Sequence, residues 1–78
     1  MENWTQYWKN SEYAVKTVAP YWENKDKWEV FDRMAWKFSD ISKLSKEQLY
    51  DLTSDVILNW HEISEEEYNK IIQEEKKS

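Results

Sequence analysis

The sequence contains no glycine and no cysteine, and it has a single proline and a single histidine. Without cysteine, this 78-residue chain has neither disulfides nor zinc thiolates, the usual supports of small proteins. Residues 61–65 read HEISE, which lacks the second histidine of the HExxH zinc motif. Cysteine–histidine catalytic sets are excluded because there is no cysteine, and a serine–histidine set could draw only on His61. We therefore expect no metal, no cofactor and no catalytic residues, and we predict that the protein is not an enzyme.

Long apolar runs are also missing. No stretch approaches the roughly 18 apolar residues that a membrane-spanning helix needs. The first ten residues have no cationic start followed by an apolar run, so they do not resemble a signal peptide. We expect a cytoplasmic protein with no membrane contact, and the absence of cysteine fits a reducing compartment.

The absence of glycine also bears on the fold class. Tight β-hairpins use residues that tolerate positive φ, and only asparagine and aspartate remain for that role. We therefore predict an all-α protein, a small bundle of three to four short helices around an aromatic, Trp-rich core. A chain this short has no room for a second core, so residues 1–78 should form a single helical domain, with a frayed tail over residues 74–78.

Two helix starts are well marked. Ser45 with Gln48, and Ser64 with Glu67, match the capping box in which a serine is followed three residues later by glutamate or glutamine. Apolar residues recur at helical spacing after each of these serines. The connection between the two helices is short, so we expect the second helix to fold back on the first. The apolar positions after Ser45 are Leu49, Leu52, Val56, Ile57 and Trp60.

The upstream half gives weaker helix signals. Asp26 with Glu29 forms another possible capping box, opening a helix that would end near Ser39. In the first 22 residues, several apolar residues recur at steps of three and four, which predicts a helix that Pro20 ends or kinks. That stripe consists of Trp4, Trp8, Val15, Val18 and Trp22, with Ser11 completing the spacing.

Most of the aromatic residues fall on the inner faces of these predicted helices, but a few apolar residues do not. Trp36, Tyr13 and Leu58 project away from the inner faces, and Tyr50 lies at the margin. Another segment of the chain could cover them. Because tryptophan and tyrosine are enriched at interface hot spots, we instead predict that Trp36, Tyr13 and Leu58 contact a protein partner.

The negative charge is concentrated in one segment. Residues 47–69 hold seven acidic residues and no lysine or arginine, although the net charge of the whole chain is only −5. Glu47, Asp51 and Asp55 are spaced four residues apart, and Leu58 and Glu62 continue the same line. These five residues could be a plain solvated face, or they could bind a protein with a basic surface. Clustered acids argue against direct nucleic-acid binding.

The function that these features favour is a small acidic regulator or inhibitor that binds another protein through an acidic helix face. Phage and mobile-element inhibitors, immunity proteins and antitoxins often have this size and charge. One alternative is a DNA mimic that inhibits a nuclease or another DNA-binding protein, of the anti-restriction or anti-CRISPR type. Carboxylates four residues apart on a helix lie about 6 Å apart, close to the spacing of phosphates. A structural homo-oligomer, in the simplest case a homodimer, is the other alternative.

Overall fold

The computed structural model describes residues 2–75, with side chains described through residue 73. It contains a five-stranded antiparallel sheet and two helices, so the prediction of an all-α helical bundle is wrong. The strands follow the order β4-β3-β2-β1-β5 across the sheet. The elements, in chain order, are β1 (Trp4–Lys9), β2 (Tyr13–Ala19), a 3₁₀ turn (Lys25–Lys27), β3 (Glu29–Asp32), β4 (Lys37–Phe38), α1 (Lys46–Asn59), β5 (His61–Ile63) and α2 (Glu65–Glu75).

The turn between β1 and β2 forms without glycine because an asparagine side chain replaces part of the backbone bonding. Asn10 Oδ1 accepts hydrogen bonds from the backbone N–H groups of Glu12 (2.8 Å) and Tyr13 (2.6 Å). The N–H group of Asn10 also donates to the carbonyl of Tyr13 at 2.9 Å. Asparagine stabilises turns in this way, and no residue of this turn has a positive φ. The inference from missing glycine to missing hairpins therefore fails here.

The turn between β3 and β4 uses the same device. Asp32 Oδ1 accepts from the N–H groups of Met34 (2.9 Å) and Ala35 (3.0 Å). The chain then reverses through Trp36, which has φ of 61° and is the one non-glycine residue with positive φ in the described part of the chain. Its N–H group donates to the carbonyl of Asp32 at 2.8 Å. A tryptophan thus takes a conformation that glycine or asparagine usually occupies.

The predicted N-terminal helix is instead the hairpin of β1 and β2. β2 lies at the centre of the sheet, and the consecutive residues Ala14 and Val15 are both buried, as are Thr17 and Val18. A strand that is covered on both faces shows no alternation of polar and apolar residues. The helical spacing of apolar residues in this segment is therefore a coincidence. The alternation that would have indicated a strand is missing because β2 is buried on both faces.

The helix predicted between residues 26 and 38 is also absent. This segment forms the end of the 3₁₀ turn, then β3, a turn and β4. Val30 and Phe31 are both buried in β3, on opposite faces of the sheet. As in β2, burial on both faces removed the period of two.

Both predicted helix starts are confirmed, the first as a complete capping box and the second with only the serine half of the motif. The N–H group of Gln48 donates to Ser45 Oγ at 3.2 Å, and the N–H group of Ser45 donates to Gln48 Oε1 at 2.9 Å. At the second start, Ser64 Oγ accepts from the N–H group of Glu67 at 3.1 Å. The expected fold-back of one helix on the other is wrong, because β5 joins the sheet between them.

The two helices cover opposite faces of the sheet. Neighbouring residues of a strand point to opposite faces, and here neighbours belong to different hydrophobic clusters. The α1 side contains Trp8, Val15 and Val30 with Leu49 and Val56 of α1. The α2 side contains Tyr7, Ala14 and Phe31 with Tyr68, Ile71 and Ile72 of α2, and Ile63 of β5.

The core is aromatic in part, with Trp8, Trp28, Phe31 and Tyr68 buried, but most of the tryptophans lie outside it. Of the six tryptophans, only Trp8 and Trp28 are buried, and Trp4 is 65% exposed. Each buried indole has a partner for its N–H group: Trp8 Nε1 donates to Thr17 Oγ1 (3.1 Å), and Trp28 Nε1 donates to the carbonyl of Val18 (3.2 Å). Valine and leucine supply most of the remaining core. The expected fraying concerned residues 74–78; the helical backbone continues to Glu75, and residues 76–78 lie outside the described part.

Candidate protein interface

The outer surface of α1 carries large apolar side chains that the core does not use. The inner surface of the helix buries Leu49, Thr53 and Val56, spaced four and three residues apart. At about 100° per residue, Leu58 lies opposite Leu49, and it is 79% exposed. Ile57 is exposed beside it, and Tyr50, about two turns earlier on α1, is exposed with its ring edge-on to Tyr21, the centroids 6.5 Å apart. A large apolar residue this exposed is unexplained by packing within the monomer.

Three carboxylates border these apolar side chains. Glu47, Asp51 and Asp55 are all exposed on α1, about 6 Å apart along the helix axis. Within the described residues, Glu47 and Asp51 have no hydrogen-bond or ion-pair partner. We call the combined patch the α1 outer surface, and it consists of Glu47, Tyr50, Asp51, Asp55, Ile57 and Leu58.

Asp55 is held in place at the end of this patch. Its Oδ1 accepts from Asn59 Nδ2 at 2.7 Å, and its Oδ2 accepts from Trp60 Nε1 at 3.1 Å. Both donors are neutral, so they orient the carboxylate without cancelling its charge. The Trp60 ring stacks on Tyr13, with ring centroids 6.1 Å apart and an interplanar angle of 17°. Tyr13 is half-buried by this contact and is linked to Asp55 through Trp60.

Glu62 does not continue the line of α1, because the helix ends at Asn59. It lies on β5 directly opposite Trp8 of β1. Residues that are directly opposite share a face, so Glu62 is on the α1 side of the sheet. Its Oε2 accepts from Gln6 Nε2 at 3.2 Å. The acidic row on α1 therefore ends at Asp55, and Leu58 is the last residue of the predicted line that lies on the helix.

Trp36 lies apart from the α1 outer surface. It is 37% exposed at the β3–β4 turn, and it borders a groove of about 270 Å³. Phe31, Phe38 and Ile72 line the same groove, which belongs to the α2 side of the sheet. The structure therefore brings Glu47, Asp51, Asp55 and Leu58 together, places Tyr13 at their edge, and separates Trp36 from them.

The strained backbone at Trp36 is itself informative. A bulky residue in the left-handed region costs of order 1–3 kcal/mol and persists where the surroundings determine it. Here the Asp32 turn and the contact with the groove fix the conformation. Strain of this kind concentrates at functional positions.

Sequence reasoning missed several exposed apolar residues. The helical spacing placed Ile57 on the inner face of α1. In the structure, Val56 occupies that core position and Ile57 is 50% exposed. Met34, which is 80% exposed, and Phe38, which is 50% exposed, were placed inside a helix that does not exist. The exposure of Met34 and Phe38 could have been predicted only if β3 and β4 had been recognised as strands.

A cleft of about 520 Å³ lies between the 3₁₀ turn and residues 39–42. Lys25 Nζ donates to the carbonyls of Ser42 (2.7 Å) and Leu44 (2.6 Å) and lies 4.9 Å from the centroid of the Trp22 ring. Hydrogen bonds from the hydroxyl and N–H groups of Ser42 lower the pKa of Asp40. The lysine is therefore engaged in structural contacts, and a carboxylate held ionised is a poor general acid.

Among the side chains described, those of residues 2–73, no three histidine, aspartate or glutamate groups are arranged as a metal ion requires. In the same part of the chain, neither helix has the length and apolar character to cross a bilayer. Comparisons with protein-family models, with curated proteins and with solved structures found no match to this chain. The physical character of its surfaces is therefore the basis for assigning a function.

Proposed function

We propose that this protein is a small regulator or inhibitor that binds another protein through the α1 outer surface. The observation that carries the proposal is Leu58, which is 79% exposed on a helix whose other side is packed into the core. Ile57 adjoins it, and Tyr50 adds another exposed apolar side chain about two turns earlier on the same helix. Exposed apolar side chains rimmed by charges are typical of protein-binding surfaces.

The rim indicates the character of the partner. Glu47 and Asp51 are exposed and unpaired in the described structure, and Asp55 is oriented by neutral donors. A partner with lysine or arginine around an apolar depression would complement this arrangement, and the opposite charges would speed association. We place this interaction in the cytoplasm, in keeping with a chain that has no cysteine.

Affinity capture from the native host tests the proposal. The wild-type chain, Leu58→Ser and the double variant Asp51→Asn/Asp55→Asn would be immobilised in parallel, and retained proteins would be quantified by mass spectrometry. The matched control is Glu12→Gln/Glu23→Gln, which removes two exposed charges elsewhere. We expect one basic-surfaced protein to be retained by the wild type and the control and lost from both α1 variants. Equal retention by all four proteins would refute the assignment of the surface.

A DNA mimic is a second candidate, favoured by the spacing of Glu47, Asp51 and Asp55 at about 6 Å on an exposed face. The DNA mimic and the apolar protein-binding regulator differ in which α1 residues contribute most of the binding free energy. A mimic would lose its target steeply with added salt, would compete with DNA, and would depend on Asp51 and Asp55 more than on Leu58. A mainly apolar contact would depend on Leu58 and respond weakly to salt.

A structural homo-oligomer is tested by sedimentation of the purified chain. If the chain sediments as a monomer at micromolar concentration, this alternative is excluded.

A further inference from the structure

A second surface lies at the β4 edge of the sheet, on the side away from α1. β4 is the last strand in the order β4-β3-β2-β1-β5, so one of its long sides is unpaired in the described structure. The N–H group of Ser39 donates to the carbonyl of Val30 at 2.7 Å, and Phe38 lies opposite Phe31. Backbone groups alternate in direction along an antiparallel pair. The N–H and C=O groups of Phe38 therefore point outward from the sheet.

The groove beside this edge can hold a side chain. Phe31 and Phe38 form part of it, with ring centroids 5.2 Å apart, and Trp36 and Ile72 border it. Phe38 is 50% exposed, and Met34, at the tip of the same hairpin, is 80% exposed. A strand placed about 4.8 Å beyond β4 would direct alternate side chains to the same face as Phe38, which is the face of the groove. The unpaired peptide group and the groove therefore suit the same ligand.

Lys37 places an exposed positive charge at this edge. Lys37 is exposed and has no hydrogen-bond or ion-pair partner among the described residues, and Arg33 lies in the same hairpin, where its Nη1 donates to the carbonyl of Asn10. Asp32, opposite Lys37 on β3, accepts hydrogen bonds at Oδ1 from the N–H groups of Met34 and Ala35, which orient its carboxylate. An acidic segment would complement this edge, whereas a basic one would be repelled.

From these three observations, we propose that the β4 edge binds an extended segment of a partner protein as an added strand, with a large apolar side chain in the Trp36–Phe38 groove and a carboxylate near Lys37. Main-chain hydrogen bonds supply affinity in this mode of recognition, and the pocket for alternate side chains supplies specificity. The surface is distinct from the α1 outer surface and lies on the other side of the sheet, so both can be occupied at once.

Peptide selection tests this proposal with a random library as the probe. Peptides of about ten residues, displayed on phage, would be selected against the immobilised full chain. We expect enriched peptides to alternate large apolar residues with other residues and to include aspartate or glutamate. The best peptide, synthesised and added to labelled protein, should slow hydrogen exchange of the Phe38 amide about tenfold or more and shift the Trp36 indole signal, while leaving the signals of Leu58 unchanged.

Substitutions at the β4 edge test whether the selected peptide binds there. Lys37→Glu should weaken the selected peptide about fivefold or more at low salt, and Phe38→Thr should weaken it by a similar or greater factor. The matched control Lys43→Glu reverses an exposed charge elsewhere and should change affinity less than about twofold. Leu58→Ser should also have no effect, which separates this proposal from the one for α1.

Several outcomes would overturn the proposal. These are the absence of enriched peptides, enrichment of basic peptides, or shifts confined to α1. Concentration-dependent dimerisation that Phe38→Thr abolishes would show that a second copy occupies the edge. Binding of the hairpin to vesicles of anionic lipid, with no selected peptide, would assign Met34 and Trp36 to a membrane instead.

Discussion

The two faces of the sheet hold their helices by different means. On the α1 side, Leu49 and Val56 are fully buried against Trp8, Val15 and Val30, so the contact is mainly apolar packing. On the α2 side, Tyr68 is buried, but three polar links also join the helix segment to the sheet. They are Tyr68 Oη to Glu29 Oε1 (3.1 Å), Tyr7 Oη to Glu65 Oε2 (3.1 Å) and Lys9 Nζ to Glu67 Oε2 (3.0 Å).

This difference is compatible with the proposed binding surface on the outside of α1. Apolar burial is not directional, so the inner side of α1 supplies most of the packing that holds the helix, and Glu47, Asp51 and Leu58 are not needed for it. The α2 side buries fewer large residues and depends more on directional hydrogen bonds. We therefore expect the α1 side to be the more costly to damage and the α2 side to be the more sensitive to pH and salt.

The largest expected effect comes from truncating the α1 side. Leu49→Ala should lower the free energy of unfolding by about 2–5 kcal/mol, because the fully buried side chain leaves a cavity. This is a large part of the roughly 4–12 kcal/mol available to a chain of this size. Ile72→Ala, at a partly buried position on the α2 side, should cost less. Urea denaturation measures both, and equal losses would contradict the contrast between the faces.

A smaller effect is expected from Tyr68→Phe, which keeps the ring and removes the hydroxyl. The hydrogen bond to Glu29 is lost, at a cost of about 1–2 kcal/mol, and Glu29 can be hydrated in its place because it is exposed. Tyr7→Phe, which removes the more exposed hydroxyl that bonds Glu65, is the matched comparison and should cost less. Urea denaturation measures both variants, and a greater loss from Tyr7→Phe would contradict this ranking.

The hydroxyl groups of Tyr68 and Tyr7 should also make the free energy of unfolding depend on pH. Burial, and then the charge of Glu29 and the hydrogen bond to it, raise the pKa of Tyr68 above its ordinary value, and burial with Glu65 raises the pKa of Tyr7. The unfolded chain loses these protons from about pH 10, whereas the folded chain retains them. The free energy of unfolding should therefore be unaffected by these groups below about pH 10 and fall above it. Tyr68→Phe should flatten this alkaline loss, and an unchanged slope would show that Tyr68 is not its source.

Sequence reasoning succeeded where local signals determine structure. The serine-based capping boxes placed both helix starts, because each motif satisfies backbone groups within four residues. It failed for the sheet because the strands that pair with β2 lie on both sides of it, and no local pattern indicates such pairing. In addition, β2 is buried on both faces, so residues such as Ala14 and Val15 show no alternation of polar and apolar side chains. The absence of glycine was misleading because Asn10 and Asp32 build turns through their side chains.

The candidate surface was predicted in part for the same reason. Asp51, Asp55 and Leu58 belong to a helix that the sequence defines, so their common exposure follows from helical spacing. Glu62 was misplaced because the sequence does not show that the short connection between the helices pairs with β1 as a strand. The groove beside Trp36 depends on contacts between β3, β4 and α2, which no local pattern encodes.

The smallest expected effect concerns the exposed ion pair between Lys9 and Glu67, and it sharpens the account of the α2 side. Lys9→Met should lower the free energy of unfolding by about 0–1 kcal/mol, because exposed pairs gain little in water. A double-mutant cycle with Glu67→Gln, run at low salt and at about 0.5 M salt, isolates the pair, and its coupling should shrink as the salt screens it. A coupling above about 1 kcal/mol that persists in salt would mean that the exposed link holds α2 as firmly as the buried tyrosine does. A weak, screened coupling would instead leave Tyr68 as the principal polar attachment of α2 to the sheet.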